Sequence, residues 1–342
     1  MNHELQLLIG SYTHGNKTGA GEGITLARFD LQTGELRSES VFREMVNPSY
    51  LTAEGGFVYA VSEQFDRPGQ VVCLERNGSE LRERWRASSG GLATCHLTLD
   101  NRRGVIHAAS YMDGKLISLN ARTGERLFYT AYEGQGPDIE RQKRAHAHQA
   151  CVTPDGAFLL VPDLGSDKVW RHPLSPEGIP GEVPDACVLP PGTGPRHLVF
   201  HPDLPLACVL GELDGRVHVI DWQTARCVCS PVSMAPTGWP GPHGASAIRL
   251  HPRLPYLYAA HRASRQLSRL RIGPDGAVAP ADLFDAGGRE PRDFVLTSDG
   301  NWLLVACQHS DCVAVHRLDA EGRLSLIHQV NIPAACRIQE IL

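Results

Sequence analysis

One apolar–turn–apolar pattern returns six times along this chain, and it leaves few folds open. ACVTPDGAFLLV (150–161) runs from an apolar stretch through a Thr-Pro-Asp-Gly turn into a second apolar stretch. Pro and Asp-Gly at those positions favour a tight reversal, so the segment predicts a β-hairpin. HLVFHPDLPLACVL (197–210), AIRLHPRLPYLYAA (247–260) and FVLTSDGNWLLVAC (294–307) repeat it. SYLTAEGGFVYAVS (49–62) and HLTLDNRRGVIHAAS (96–110) are weaker copies. The residues that open the turns are Thr52, Asp100, Thr153, His201, His251 and Thr297, with spacings of 48, 53, 48, 50 and 46.

A period near 50 with two strong strands and two weaker ones is the signature of a four-stranded propeller blade. The weaker strands follow Gly or Asp turns at 70–74, 115–119, 168–171, 216–220, 266–270 and 312–316. Two ends remain. LLIGSY (7–12) matches a second strand without its first, and CRIQEIL (336–342) matches a first strand without its second. Joined, they complete a seventh blade and leave no exposed sheet edge at a seam. The expectation is an all-β, seven-bladed propeller of four-stranded blades. It forms one domain over 1–342 and is closed by both termini.

Composition agrees. Gly (34) and Pro (24) supply turns, and no run of 18 apolar residues offers a membrane span. The formal charge of −5 removes the electrostatic basis for broad nucleic-acid binding. The start, MNHELQLLIG, reads as mature sequence rather than a signal peptide. Most of the ten cysteines lie in apolar runs, without a CxxC pair, and read as inert core thiols in a reducing, cytoplasmic setting.

The register predicts where chemistry sits. Eleven residues after each turn opener come Glu63, Tyr111, Leu164, Glu212, Arg262 and Gln308, with Tyr12 as the split-blade equivalent. Five residues before come Asn47, Cys95, His148, Arg196, Ser246 and Arg292, with Arg337 as the equivalent. Both sets fall at the same end of the hairpin. Polar groups repeated at strand ends around one axis imply a lined pocket, beside the alternative that strand ends are polar because they meet water.

Arg196 can grip a carboxylate or phosphate through a forked pair of bonds, or bridge two blades. Glu212 can act as a general base or as a paired structural acid. Alternation places His146 and His148 on one strand face, suited to substrate contact or acid–base work. That spacing can also bind a metal, but two ligands alone are weak evidence for one, and the chain is expected to need no cofactor. Arg262 and Arg292 add charge to the same rim. The 141–144 run RQKR reads as a solvated loop, and His201 and His251 as turn residues. No Gly-x-Ser-x-Gly elbow, P-loop or GxGxxG is present.

Several segments together resemble the seven-bladed lactonase family, which includes propeller-type 6-phosphogluconolactonases and carboxymuconate cyclases. They are LIGSYT (8–13), NPSYL (47–51), AHAHQ (145–149), PDG (154–156), VPDLG (161–165), GTGPRHL (192–198) and PR (291–292). The resemblance spans the whole chain, through the order and spacing of short motifs. It implies a metal-independent site built from His148, Arg196, Glu212 and a further arginine, Arg262 ahead of Arg292. His146, Arg292, Tyr111 and Gln308 would contact substrate. Departures are Ala109-Ser110-Tyr111 for Ala-Asn-Tyr, Gly211-Glu212 for Asn-Glu, and Ala260-His261-Arg262-Ala263 for Ser-Asn-Arg-Gly.

The expected activity is hydrolysis of a sugar-acid lactone, 6-phosphogluconolactone foremost, as a step of carbohydrate metabolism in the pentose phosphate pathway. Glu212 or His148 would be the base. A lactonising cyclase and a non-catalytic interaction platform are the alternatives. The expected partner is a small-molecule sugar lactone, phosphorylated or not, with no nucleic acid and no membrane. The chain would be a monomer or weak homo-oligomer.

Overall fold

The hairpin turns are built by their own side chains. Thr153 Oγ1 donates to Asp155 Oδ1 at 2.7 Å and accepts the Phe158 amide at 3.0 Å. Gly156 takes the positive φ of 74° that the reversal requires. At His201 the imidazole Nδ1 accepts the amides of Asp203 and Leu204, and His251 does the same for Arg253 and Leu254. These two histidines are therefore turn residues.

In the computed structural model, which describes residues 3–14, 21–182 and 184–341, the hairpins form the inner halves of seven antiparallel sheets. Blade one takes its innermost strand, Ala335–Ile341, from the C-terminus and continues with Glu4–Ser11, Ile24–Asp30 and Leu36–Phe42. Blade two begins at Leu51–Glu54, blade three at Thr94–Asp100 and blade four at Cys151–Val152. Blades five, six and seven begin at Pro195–Phe200, Ala245–Leu250 and Pro291–Leu296. The outer strand of blade five is split into Arg226–Cys227 and Val232–Ser233, which pair with opposite ends of Arg216–Asp221. Among the described residues the only helix is a 3₁₀ turn over Gln308–Ser310, and no helix is long and apolar enough to cross a membrane.

The core is a ring of seams rather than one central mass. One seam packs Leu7, Ile9 and Phe29 of blade one against Trp302, Leu304 and Val315 of blade seven. Others join Leu210 and Val217 to Ile248 and Leu257, and Leu160 to Val209 and Ile220. Second strands such as Trp302–Cys307 are buried along their whole length because a neighbouring blade covers each face. Outer strands such as Glu80–Ser88 are mostly exposed. Each fully buried aliphatic side chain contributes about 1.5–3 kcal/mol, so the seams hold the blades together.

Two register expectations need correction. Blade two turns on Gly55 and Gly56, both with positive φ, a two-residue hairpin loop. That loop is two residues shorter than the others, so counting back from the turn overshoots. Asn47 is instead a latch: its Oδ1 accepts the amides of Thr13 and His14, and its Nδ2 donates to Glu63 O. Ser49 takes the equivalent place. Arg337 is likewise one residue off. It pairs with Asp293 at 2.8 Å, and Cys336 holds the ring position.

Cysteine burial also departs from expectation at two sites. Cys227 and Cys229 are exposed, because the outer strand of blade five is short and split.

Candidate functional site

A β-bulge at the start of the innermost strand in blades one, three, five, six and seven decides which side chain meets the propeller axis. In blade five Pro195 pairs with Gly211 and His197 with Leu210, leaving Arg196 unpaired between them. Cys95 in blade three and Arg292 in blade seven are displaced in the same way. In blade four, Ala147 bridges Asp163 and the His148 amide donates to Pro162 O, which puts His148 at the same position. An extra residue on one strand bends it and re-aims that side chain. The second set of residues follows each second strand. The two sets form adjacent rings around one mouth.

Together they enclose a cavity of about 220 Å³ on the axis, lined by Tyr12, Glu63, Cys95, Tyr111, His148, Arg196, Glu212, Arg262 and Arg292, with Phe65 and Arg141. Four arginines face two carboxylates. Leu164 and Gln308, buried at the same level, lie outside that lining.

Glu212 is the centre of the charge network. Its Oε2 accepts from Arg196 Nη1 at 2.7 Å, and its Oε1 from Arg141 at 2.6 Å and Arg262 at 2.9 Å. Burial alone would raise its pKa, but the charges of Arg262, Arg196 and Arg141 outweigh that and hold it well below the usual carboxylate range. A carboxylate so engaged is a poor proton acceptor. It is suited to holding three guanidiniums in place.

Arg196 spans three blades. Its Nε donates to Ser246 O at 2.7 Å, and its Nη1 meets both Glu212 and His148 Nε2. Arginine can only donate, so Nε2 is the acceptor and the imidazole proton sits on Nδ1, 3.9 Å from Cys95 Sγ. Burial, reinforced by Arg196, pushes the His148 pKa well below its ordinary value, so the ring is neutral. Below it Tyr50, His96 and His197 pack towards the floor, with centroids 4.1 Å apart for the tilted Tyr50–His96 pair and 5.3 Å for the edge-to-face His148–His197 pair.

On the opposite wall Arg292 donates to Tyr12 Oη at 2.6 Å, and Tyr12 donates onward to Glu63 at 2.7 Å. Burial raises the Tyr12 pKa well above that of a free phenol, so it stays protonated.

His146 and His148 do not share a strand face. His146 stacks on Tyr111 at 4.5 Å and bonds to its carbonyl, outside the cavity lining, while His148 turns to the axis. The segment is irregular there, so strand alternation does not apply. The 141–144 run is also not a uniformly solvated loop. Lys143 and Arg144 are exposed, but Gln142 is fully buried and Arg141 reaches the cavity. Arg141 belongs to no repeat, so register could not find it. Among the described residues no group of three acidic, His or Cys side chains is placed to hold a metal.

Residues 6–339 match the family described as lactonase, 7-bladed beta-propeller. A Bacillus subtilis 6-phosphogluconolactonase is 26% identical over 338 residues, covering 95% of each chain. A solved Lactobacillus plantarum protein superposes with a TM-score of 0.91 at 26% identity, over 99% of this chain and 100% of that one. A Pseudomonas aeruginosa periplasmic gluconolactonase gives 0.89 at 26% identity, over 99% of both.

Proposed function

Given that the chain belongs to the seven-bladed β-propeller lactonase family, we propose that it hydrolyses a sugar-acid lactone bearing an anionic group, 6-phosphogluconolactone foremost. The observation that carries this reading is the neutral His148 beside Arg196, inside a cavity where arginines outnumber carboxylates. Relatives named for two lactone substrates, one phosphorylated and one not, support the reaction class more than the substrate.

In this mechanism the ester carbonyl binds Arg196 and draws Nη1 away from His148 Nε2. The freed lone pair takes a proton from a water molecule as its oxygen attacks the carbonyl carbon. Arg196 meets the developing oxyanion, an interaction that strengthens in the transition state. The tetrahedral centre then collapses. The ring C–O bond breaks, and the imidazolium returns its proton to the departing alkoxide. Glu212 keeps the guanidiniums aligned. Arg262 binds the anionic group, and Arg292, held on Tyr12, shapes the walls with Tyr12 and Tyr111.

The test is to mix purified protein with freshly generated 6-phosphogluconolactone and follow ring opening against spontaneous hydrolysis. The reading expects a large acceleration that disappears in Arg196→Ala. Wild-type protein that is folded but accelerates neither this lactone nor glucono-δ-lactone overturns it. Turnover of a muconate instead would assign the cyclase reaction. No compartment follows from the fold, since one structural neighbour is periplasmic; a cytoplasmic location is our proposal.

A further inference from the structure

Of the four cavity arginines, Arg141 alone comes from outside the blade repeat. It sits in the connection from the outer strand of blade three, Arg126–Ala131, to blade four. That connection is pinned. Asp138 Oδ1 accepts the amides of Glu140 and Arg141 at 2.9 and 3.0 Å. Gln142, fully buried, donates to Leu164 O and Asp167 Oδ1, both at 2.8 Å. Asp167 also accepts the amides of Gly192 and Gly194, which lead into Arg196. The loop is therefore tied to the strand entry that positions the cavity's central arginine.

The Arg141 side chain is 42% exposed, against 5% for Arg196 and 15% for Arg262, so it stands at the mouth. Its Nη2 and that of Arg262 converge on one oxygen, Glu212 Oε1. Arg141 Nη2 also donates to Tyr111 Oη at 3.2 Å. Among the described residues its Nε and Nη1 have no protein partner. A guanidinium that shares a single carboxylate oxygen, with half its fork unused, is matched to a second oxyanion.

We propose that Arg141, with Arg262, forms an anion subsite at the cavity mouth that takes the phosphate or carboxylate tail of the substrate while the lactone carbonyl lies on Arg196. This rests on the lactone reading and adds an orientation to it: tail outward, ester inward. It also makes Arg141 the residue that separates charged from neutral lactones.

The test compares kcat/KM for 6-phosphogluconolactone and glucono-δ-lactone in wild type, Arg141→Gln and Arg141→Lys. It also measures inorganic phosphate binding by calorimetry on the same proteins. Arg141→Gln should lower the phosphorylated-to-neutral ratio about tenfold or more, mainly through KM, and weaken phosphate binding by a similar factor. Arg141→Lys should fall between, since it keeps the charge and loses the fork. Equal losses for both lactones, or unchanged phosphate binding in Arg141→Gln, overturn the subsite. If wild type turns over neither lactone, the catalytic reading falls, and the phosphate titrations alone decide the subsite.

Discussion

Arg196 Nη1 lies 2.7 Å from Glu212 Oε2, both side chains almost wholly buried, across a hairpin that begins with one and ends with the other. The pair closes the inner hairpin of blade five at the axis, and the same guanidinium nitrogen reaches His148 in blade four. Neighbouring blades thus share one charged contact, and its disruption should be felt in activity and stability together.

Arg196→Lys should lower kcat/KM about 10²–10³-fold in a folded protein, the range for losing one preorganised oxyanion donor. A lysine cannot serve Ser246 O, Glu212 and His148 at once, as the forked guanidinium does. Steady-state kinetics with a lactone checks this. Wild-type rates in Arg196→Lys would remove the oxyanion role.

Glu212→Gln should move kcat and KM together. A base would lose kcat alone, but this carboxylate aligns three arginines. Removing its charge leaves buried guanidiniums without their shared partner, a loss of about 3–5 kcal/mol. Urea unfolding measures that loss, and a stability equal to wild type would show that the arginines find other partners.

Acid should destabilise the fold before it titrates ordinary carboxylates. His96, His148 and His197 all have pKa values well below 6.5 in the folded protein, first through burial and then through nearby arginines. Unfolding at lower pH therefore takes up protons. Their contribution is full above pH 6.5 and is lost as pH falls towards the folded values. Each histidine adds a slope of about 1.4 kcal/mol per pH unit over that window. Urea midpoints between pH 5 and 8 should show it, and His96→Gln should remove about one proton's worth. In the same window kcat/KM should show no inflection at an ordinary histidine pKa, because His148 stays neutral.

Asp293→Ala should cost about 3–5 kcal/mol, since it strands two guanidiniums. Asp293 pairs with Arg249 at 2.7 Å and with Arg337 at 2.8 Å, beneath the cavity between the inner strands of blades six, seven and one. Thermal melting of Asp293→Ala beside wild type tests this. A melting point within a degree or two of wild type would mean the pairs are dispensable.

The architecture was legible in the chain because a propeller repeats the same local chemistry. Thr-Pro-Asp-Gly and His-Pro-x-Leu-Pro turns build their own hydrogen bonds, and apolar runs on either side mark strands covered on both faces. The complementary half-blades at 7–12 and 336–342 announced the closure for the same reason. Register from the turns also brought His148, Arg196, Glu212, Arg262 and Arg292 to one cavity, since hairpins of equal length end at equal depth.

What the sequence by itself determined about this protein was whatever local periodicity and turn chemistry encode: blade number, strand order and two adjacent rings of strand-end residues. Tertiary structure decided the rest. A two-residue glycine turn shifted blade two, so Asn47 became a latch and Ser49 took its place. Bulges aimed Cys336 rather than Arg337 at the axis. A loop outside the repeat carried Arg141 to Glu212, seventy-one residues away. The protonation of His148 likewise depends on burial and on a guanidinium from the next blade. Such effects are set by through-space packing and charge, which no local pattern records.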